Sequence, residues 1–127
     1  MDSREYIDGY IARARAAQAE FEKMSQEQVD KAVQTIGKVV YENAQYFAEI
    51  AVEETGMGNV EDKCAKNKQK AGIVWNNLRN KKSRGILETD EKTGITTVAK
   101  PMGVVAAITP CTNPIVTPMS NSMFALK

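Results

Sequence analysis

The side chains best suited to chemistry in this sequence lie together near its end. Gly103-Val-Val-Ala-Ala107 carries no polar side-chain atom and runs into Ile108-Thr-Pro-Cys-Thr-Asn-Pro-Ile115. Two prolines there bracket a thiol, a hydroxyl and a carboxamide: Cys111, Thr112 and Asn113. A thiol near a helix start can become a nucleophile as its pKa falls. A fixed carboxamide N–H can donate to an oxygen that gains negative charge. In open α/β sheets, ligands gather beyond the carboxyl ends of strands, beside helix N-termini that favour anions. The competing reading is a plain connecting loop, since Pro and Asn are common turn residues. Cys111 also reads as a small, soft residue lining a site. No G-x-G-x-x-G follows the apolar run, so the usual dinucleotide fingerprint is missing.

Histidine is absent from the 127 residues, and the only cysteines are Cys64 and Cys111. Ser/His and Cys/His relays and His-based metal sites are therefore ruled out within this sequence, and no metal is expected. Two distant cysteines form no disulfide pattern and read as reduced thiols of a cytoplasmic protein.

A second candidate is basic. Lys63, Lys66, Lys68, Lys70, Arg79, Lys81, Lys82 and Arg84 fall in one stretch without an acid. Such a cluster can bind polyphosphate or RNA. The simpler expectation is a solvated helix face, because the one aromatic among them, Trp75, falls on the inward stripe.

The elements that must position these groups follow from periodicity. Apolar residues recur every three or four positions from Ile7 through Tyr10, Ile11, Ala14 and Ala17 to Phe21 and Met24, predicting a helix with an inward stripe. Ser25-Gln-Glu-Gln28 fits a capping box. It opens a helix with Val29, Ala32, Val33, Ile36, Val39 and Val40 inward. A further set, Ala44, Phe47, Ala48, Ile50 and Ala51, ends at Gly56, suited to a C-terminal cap. Asn59 caps the next helix, whose inward face is predicted as Val60, Cys64, Ala71, Val74, Trp75 and Leu78. Gly85–Thr89 and Ile95–Ala99 read as a β-hairpin around a glycine-containing loop. The run 103–108, apolar on both faces, predicts a strand of a parallel sheet covered by helices. Thr117-Pro118 predicts an N-cap and first helical position, opening a helix from Met119 to Lys127.

The bulk numbers fit one soluble domain: 43% apolar, 26% charged, net charge +1. They give no reason to expect nucleic acid or a membrane as partner, and Met1–Tyr6 does not resemble a secretory signal.

Together these segments resemble the N-terminal portion of the CoA-acylating aldehyde dehydrogenases. The resemblance rests on Ser25-Gln-Glu-Gln-Val-Asp30, Glu53-Glu-Thr-Gly-Met-Gly58, Val60-Glu-Asp-Lys63 and Lys100-Pro-Met-Gly-Val-Val-Ala-Ala-Ile-Thr-Pro-Cys-Thr-Asn-Pro114. The tail from Ile115 is most similar to the succinate-semialdehyde members, with the acetaldehyde enzymes next. It implies an α/β fold: residues 1–127 would be an incomplete part of a Rossmann-like cofactor domain, mainly helical over 1–84, a hairpin over 85–100, and the first strand, loop and helix over 103–127. It implies NAD or NADP as cofactor, coenzyme A as co-substrate, a short-chain aldehyde as substrate and a dimer or larger homo-oligomer. By the same resemblance Asn113 would stabilise the oxyanion, and Thr109, Pro110, Cys111 and Thr112 would line the nicotinamide site. The family's catalytic cysteine matches neither Cys64 nor Cys111, so these residues alone are expected to be inactive. The alternative is a non-enzymatic helical assembly or docking module that uses 63–84.

Overall fold

A computed structural model describes residues 2–127. Five helices and one hairpin follow in order: α1 (Ser3–Phe21), α2 (Gln26–Glu42), α3 (Ala44–Thr55), α4 (Val60–Leu78), β1 (Ile86–Asp90), β2 (Ile95–Val98) and α5 (Val116–Leu126). They divide into two compact units, Met1–Gln26 with Lys82–Ala106, and Glu27–Lys81 with Ala107–Lys127.

The second unit holds the apolar core. The period of α2 buries Val29, Val33, Gly37 and Val40, while Val39 stays exposed. Helix α3 turns Ala44, Ala48 and Ala51 inward. Three alanines make a smooth face, and α3 packs along α4. Gly56 ends α3 in the left-handed conformation (φ 63°), its N–H donating to the Val52 carbonyl at 2.8 Å. That is the cap expected of glycine, which has no Cβ to strain there. Asn59 then caps α4: its Oδ1 accepts from the Asp62 N–H at 2.8 Å. Helix α5 packs on α4 and inserts Met123, fully buried, towards α2. A Cβ at Gly37 would lie 3.1 Å from Met123 Cε and 3.7 Å from the Ala71 carbonyl. Glycine at 37 thus lets α2, α4 and α5 meet at one point. Lys127 pairs with Asp30 and fastens the end of α5 to α2.

In the other unit, β1 and β2 pair antiparallel, Ile86 opposite Val98 and Asp90 opposite Ile95, with a register shift between Ile86 and Glu88. Gly94 (φ 72°) closes the turn, and Asp90 accepts from the Thr93 hydroxyl and the Lys92 N–H, both at 2.8 Å. The Thr93 hydroxyl first, then the Lys92 N–H, hold the Asp90 carboxyl below the usual carboxylate range. The Arg84 guanidinium donates to the Glu22 and Phe21 carbonyls at 2.8 and 2.9 Å, capping the end of α1, where the Phe21 carbonyl also accepts from the Met24 N–H at 3.0 Å.

Besides the inward placing of Val39, three further expectations need correction here. No side chain of α1 is buried, and Tyr6, Ile7, Tyr10 and Ile11 are exposed. Residues 103–108 form no strand; Val104, Val105 and Ile108 are exposed, Ile108 at 96%. A central strand needs a ladder on each edge, and the described residues supply no strand beside it. Finally, α5 begins at Val116 with Ile115 as N-cap, so Pro118 is its third residue. Its missing N–H still costs nothing there, being among the four unpaired donors of a helix start.

Two outcomes follow. Asn59→Ala should lower stability by about 1 kcal/mol through loss of the cap, read as a shift in urea midpoint. The 127-residue polypeptide taken alone should self-associate through its exposed apolar residues. Sedimentation velocity giving a clean monomer at all concentrations would contradict this.

Candidate functional site

The inward face of α4 departs from the sequence reading at its first two turns. Its buried residues are Lys63, Asn67, Ala71, Val74 and Leu78; Val60, Cys64 and Trp75 are half-buried. Two polar residues therefore occupy positions one turn apart on the packed stripe. A buried donor must find an acceptor or pay its full desolvation cost. Asn67 Nδ2 finds the Ala44 carbonyl at 3.2 Å, tying α4 to the first residue of α3. Lys63, only 7% exposed, reaches the Thr112 carbonyl at 3.4 Å. One turn along from Lys63, Lys66 Nζ donates to Asn113 Oδ1 at 2.6 Å.

Both lysine partners belong to the loop singled out from sequence. Asn113 is held twice. Its side chain is bound by Lys66, and its backbone carbonyl accepts from the Thr117 N–H at 3.3 Å as the chain turns into α5. Packing behind it is close: a void of about 10 Å³ lies between Lys66, Asn67 and the segment 113–116. On the other side of Lys63 and Lys66 opens a cleft of about 260 Å³, lined also by Met57, Gly58, Asn59, Asp62 and Thr112. Desolvation first, then the cations of Lys63 and Lys70, hold the Lys66 ammonium below the usual lysine range.

Thr109, Pro110, Cys111 and Thr112 are exposed, whereas Asn113 is half-buried. The four exposed residues offer two hydroxyls and a thiol to whatever lies against the loop. That set of hydroxyls and a thiol is compatible with lining a flat ring that carries a carboxamide, such as a nicotinamide. Lys68, Lys70, Arg79, Lys81 and Lys82 are exposed, as a solvated face requires. Lys63 and Lys66 turn towards the loop, and Arg84 caps α1, so the eight cations do not form one solvated face. The signal for Lys63 lay in its spacing, four residues before Asn67 and eight before Ala71 on the buried stripe. Its charge concealed it.

No described helix is long and apolar enough to cross a membrane. Cys64 is half-buried and Cys111 exposed, both as free thiols.

Residues 1–127 match the model of the aldehyde dehydrogenase family, and the chain belongs to that family. It is 51% identical over its whole length to succinate-semialdehyde dehydrogenase (acetylating) of Clostridium kluyveri, covering 28% of that protein. Over 97% of its length it is 43% identical to sulfoacetaldehyde dehydrogenase (acylating) of Cupriavidus necator, covering 25% of it. In structure it superposes on an acetylating aldehyde dehydrogenase from Geobacillus thermoglucosidasius with a TM-score of 0.92 and 40% identity, over 96% of this chain and 27% of that one. The chain thus spans about a quarter of the length of these relatives, and its superposition on an acetylating aldehyde dehydrogenase agrees with the α/β fold expected of it.

Two glycines test how the cleft is built. Gly58 has φ +75°, and a Cβ there would sit 3.3 Å from Lys63 Cε. Gly58→Ala should cost about 1–2 kcal/mol in backbone strain and displace Lys63. Gly72, inside α4 with nothing within 4 Å of an added Cβ, should behave oppositely. Gly72→Ala should stabilise by about 0.4–1 kcal/mol. Urea unfolding of the two variants checks both signs.

Proposed function

We infer that the chain is the N-terminal part of the cofactor domain of an NAD(P)-dependent, CoA-acylating aldehyde dehydrogenase acting on succinate semialdehyde or another short-chain aldehyde. Its acylating relatives support the reaction class. The observation that carries the residue-level reading is the doubly anchored Asn113 at the start of α5. In this reading the catalytic cysteine is supplied by sequence outside these 127 residues. Its thiolate adds to the aldehyde carbon, forming a C–S bond and an alkoxide. A nicotinamide cofactor, when bound, supplies the acceptor for the hydride that leaves that carbon. The coenzyme A thiolate then displaces the cysteine thiolate from the resulting thioester, giving acyl-CoA.

Asn113 contributes to the steps in which the carbonyl oxygen gains negative charge. A carboxamide fixed in advance need not reorganise as that charge develops, which is where such donors contribute most. Thr109, Pro110, Cys111 and Thr112, exposed on the same loop, line the nicotinamide side. The complete enzyme is cytoplasmic and assembles as a dimer or larger.

The test is steady-state kinetics of the complete enzyme. Asn113→Ala should lower kcat by roughly 10²–10³-fold while changing nicotinamide affinity little, because the interaction strengthens in the transition state. Cys111→Ser should retain most activity. If Cys111→Ser abolished acylation while Asn113→Ala stayed near wild type, the loop's roles would be misassigned and Cys111 would be the nucleophile.

A further inference from the structure

We propose that Lys66 is a positioning residue for the Asn113 carboxamide, setting which end of the amide is presented to the reacting oxygen. The proposal rests on the oxyanion role of Asn113 given above. A carboxamide is nearly symmetric in shape, yet its two ends do opposite things: the oxygen only accepts and the NH₂ only donates. Turned by 180°, Asn113 would point a lone pair at an oxyanion and oppose the reaction. An ammonium has three donors and no acceptor, so only the amide oxygen can face Lys66 favourably. The 2.6 Å contact between Lys66 Nζ and Asn113 Oδ1 is within the range of a charge-assisted hydrogen bond. It leaves Nδ2 as the end available to a substrate.

A second effect acts in the same direction. A cation on the carbonyl end of an amide draws electron density from its nitrogen, and hydrogen bonds in such chains strengthen one another. The N–H of Asn113 becomes a better donor without the cation touching the substrate. Placement of the lysine supports a specific function: Lys63 and Asn67, beside it on α4, satisfy main-chain carbonyls, whereas Lys66 alone of the three binds a side chain. Main-chain contacts fix where the loop lies; the side-chain contact fixes how one functional group is turned.

The experiment uses the complete enzyme and four variants: Lys66→Met, Lys66→Arg, Asn113→Ala, and the double variant Lys66→Met/Asn113→Ala. Circular dichroism and thermal midpoints establish that each is folded. Lys66→Met should lower kcat by roughly 10–10²-fold, part of the loss expected for the donor itself, with the KM for nicotinamide cofactor within about twofold of wild type. Lys66→Arg, which also has only donors to offer, should recover much of that loss even though its geometry differs. In the Asn113→Ala background Lys66→Met should have almost no further effect, since two residues acting through one group are not additive. A purely structural lysine would instead lower the thermal midpoint and reduce kcat by the same factor in both backgrounds. That additivity, or a kcat unchanged by Lys66→Met, overturns the proposal while leaving the role of Asn113 intact. A kcat unchanged by Asn113→Ala overturns both.

Discussion

An ammonium group taken out of water has to be given oxygen, and in this chain that requirement shapes the site. Helix α4 presents Lys63 and Asn67 on the face that packs inward, ahead of Ala71, Val74 and Leu78. Leaving either donor unpaired would cost more than a typical hydrogen bond contributes. The main-chain carbonyls of Thr112 and Ala44 answer that need, and so the loop ahead of α5 and the first residue of α3 are both drawn to α4. Lys66 adds its bond to Asn113 on the arrangement thus made. Apolar packing at Gly37, Ala71 and Met123 brings the helices together. The polar groups decide where the loop lies along them.

The same division explains what the sequence disclosed. Caps and turns depend on single residues with local chemistry, and most were legible: Gly56 in the left-handed conformation, Asn59 holding the Asp62 N–H, Gly94 closing the hairpin; the cap expected at Thr117 was not, since α5 starts at Val116. The stripes of α2 and α3 were largely legible because their buried positions are apolar, although Val39, expected inward, is exposed. The stripe of α4 was only half legible, because Lys63 and Asn67 are buried for reasons that depend on residues 112 and 44. Those partners lie far away along the chain, and no pattern within α4 announces them. For the same reason Asn113 could be singled out by its loop, but not Lys66, whose significance is its distance to Asn113 in space.

Residues 103–108 and α1 show the opposite failure. Their apolar patterns were read correctly as patterns, yet an apolar stripe states only that cover is wanted, not that these residues provide it. Val104, Val105 and Ile108 are exposed, as are Tyr6, Ile7, Tyr10 and Ile11. Among the described residues no strand lies beside 103–108 to pair with it, and the run forms none. The cost of that exposure falls on the hydrophobic term, roughly 25 cal/mol for each Å² of apolar surface left in water. In the loop that follows, residues 109–112 are likewise exposed, while the Thr112 carbonyl and the Asn113 side chain are held by Lys63 and Lys66.

The most direct test of the central claim is a crystal structure of the complete enzyme with nicotinamide cofactor bound and its catalytic cysteine trapped as the acyl thioester. The account predicts Asn113 Nδ2 about 3 Å from the acyl oxygen, hydrogen-bond distance, with Asn113 Oδ1 still on the Lys66 ammonium. An acyl oxygen held by other donors, with the Asn113 amide directed elsewhere or Lys66 bound to another group, would contradict it.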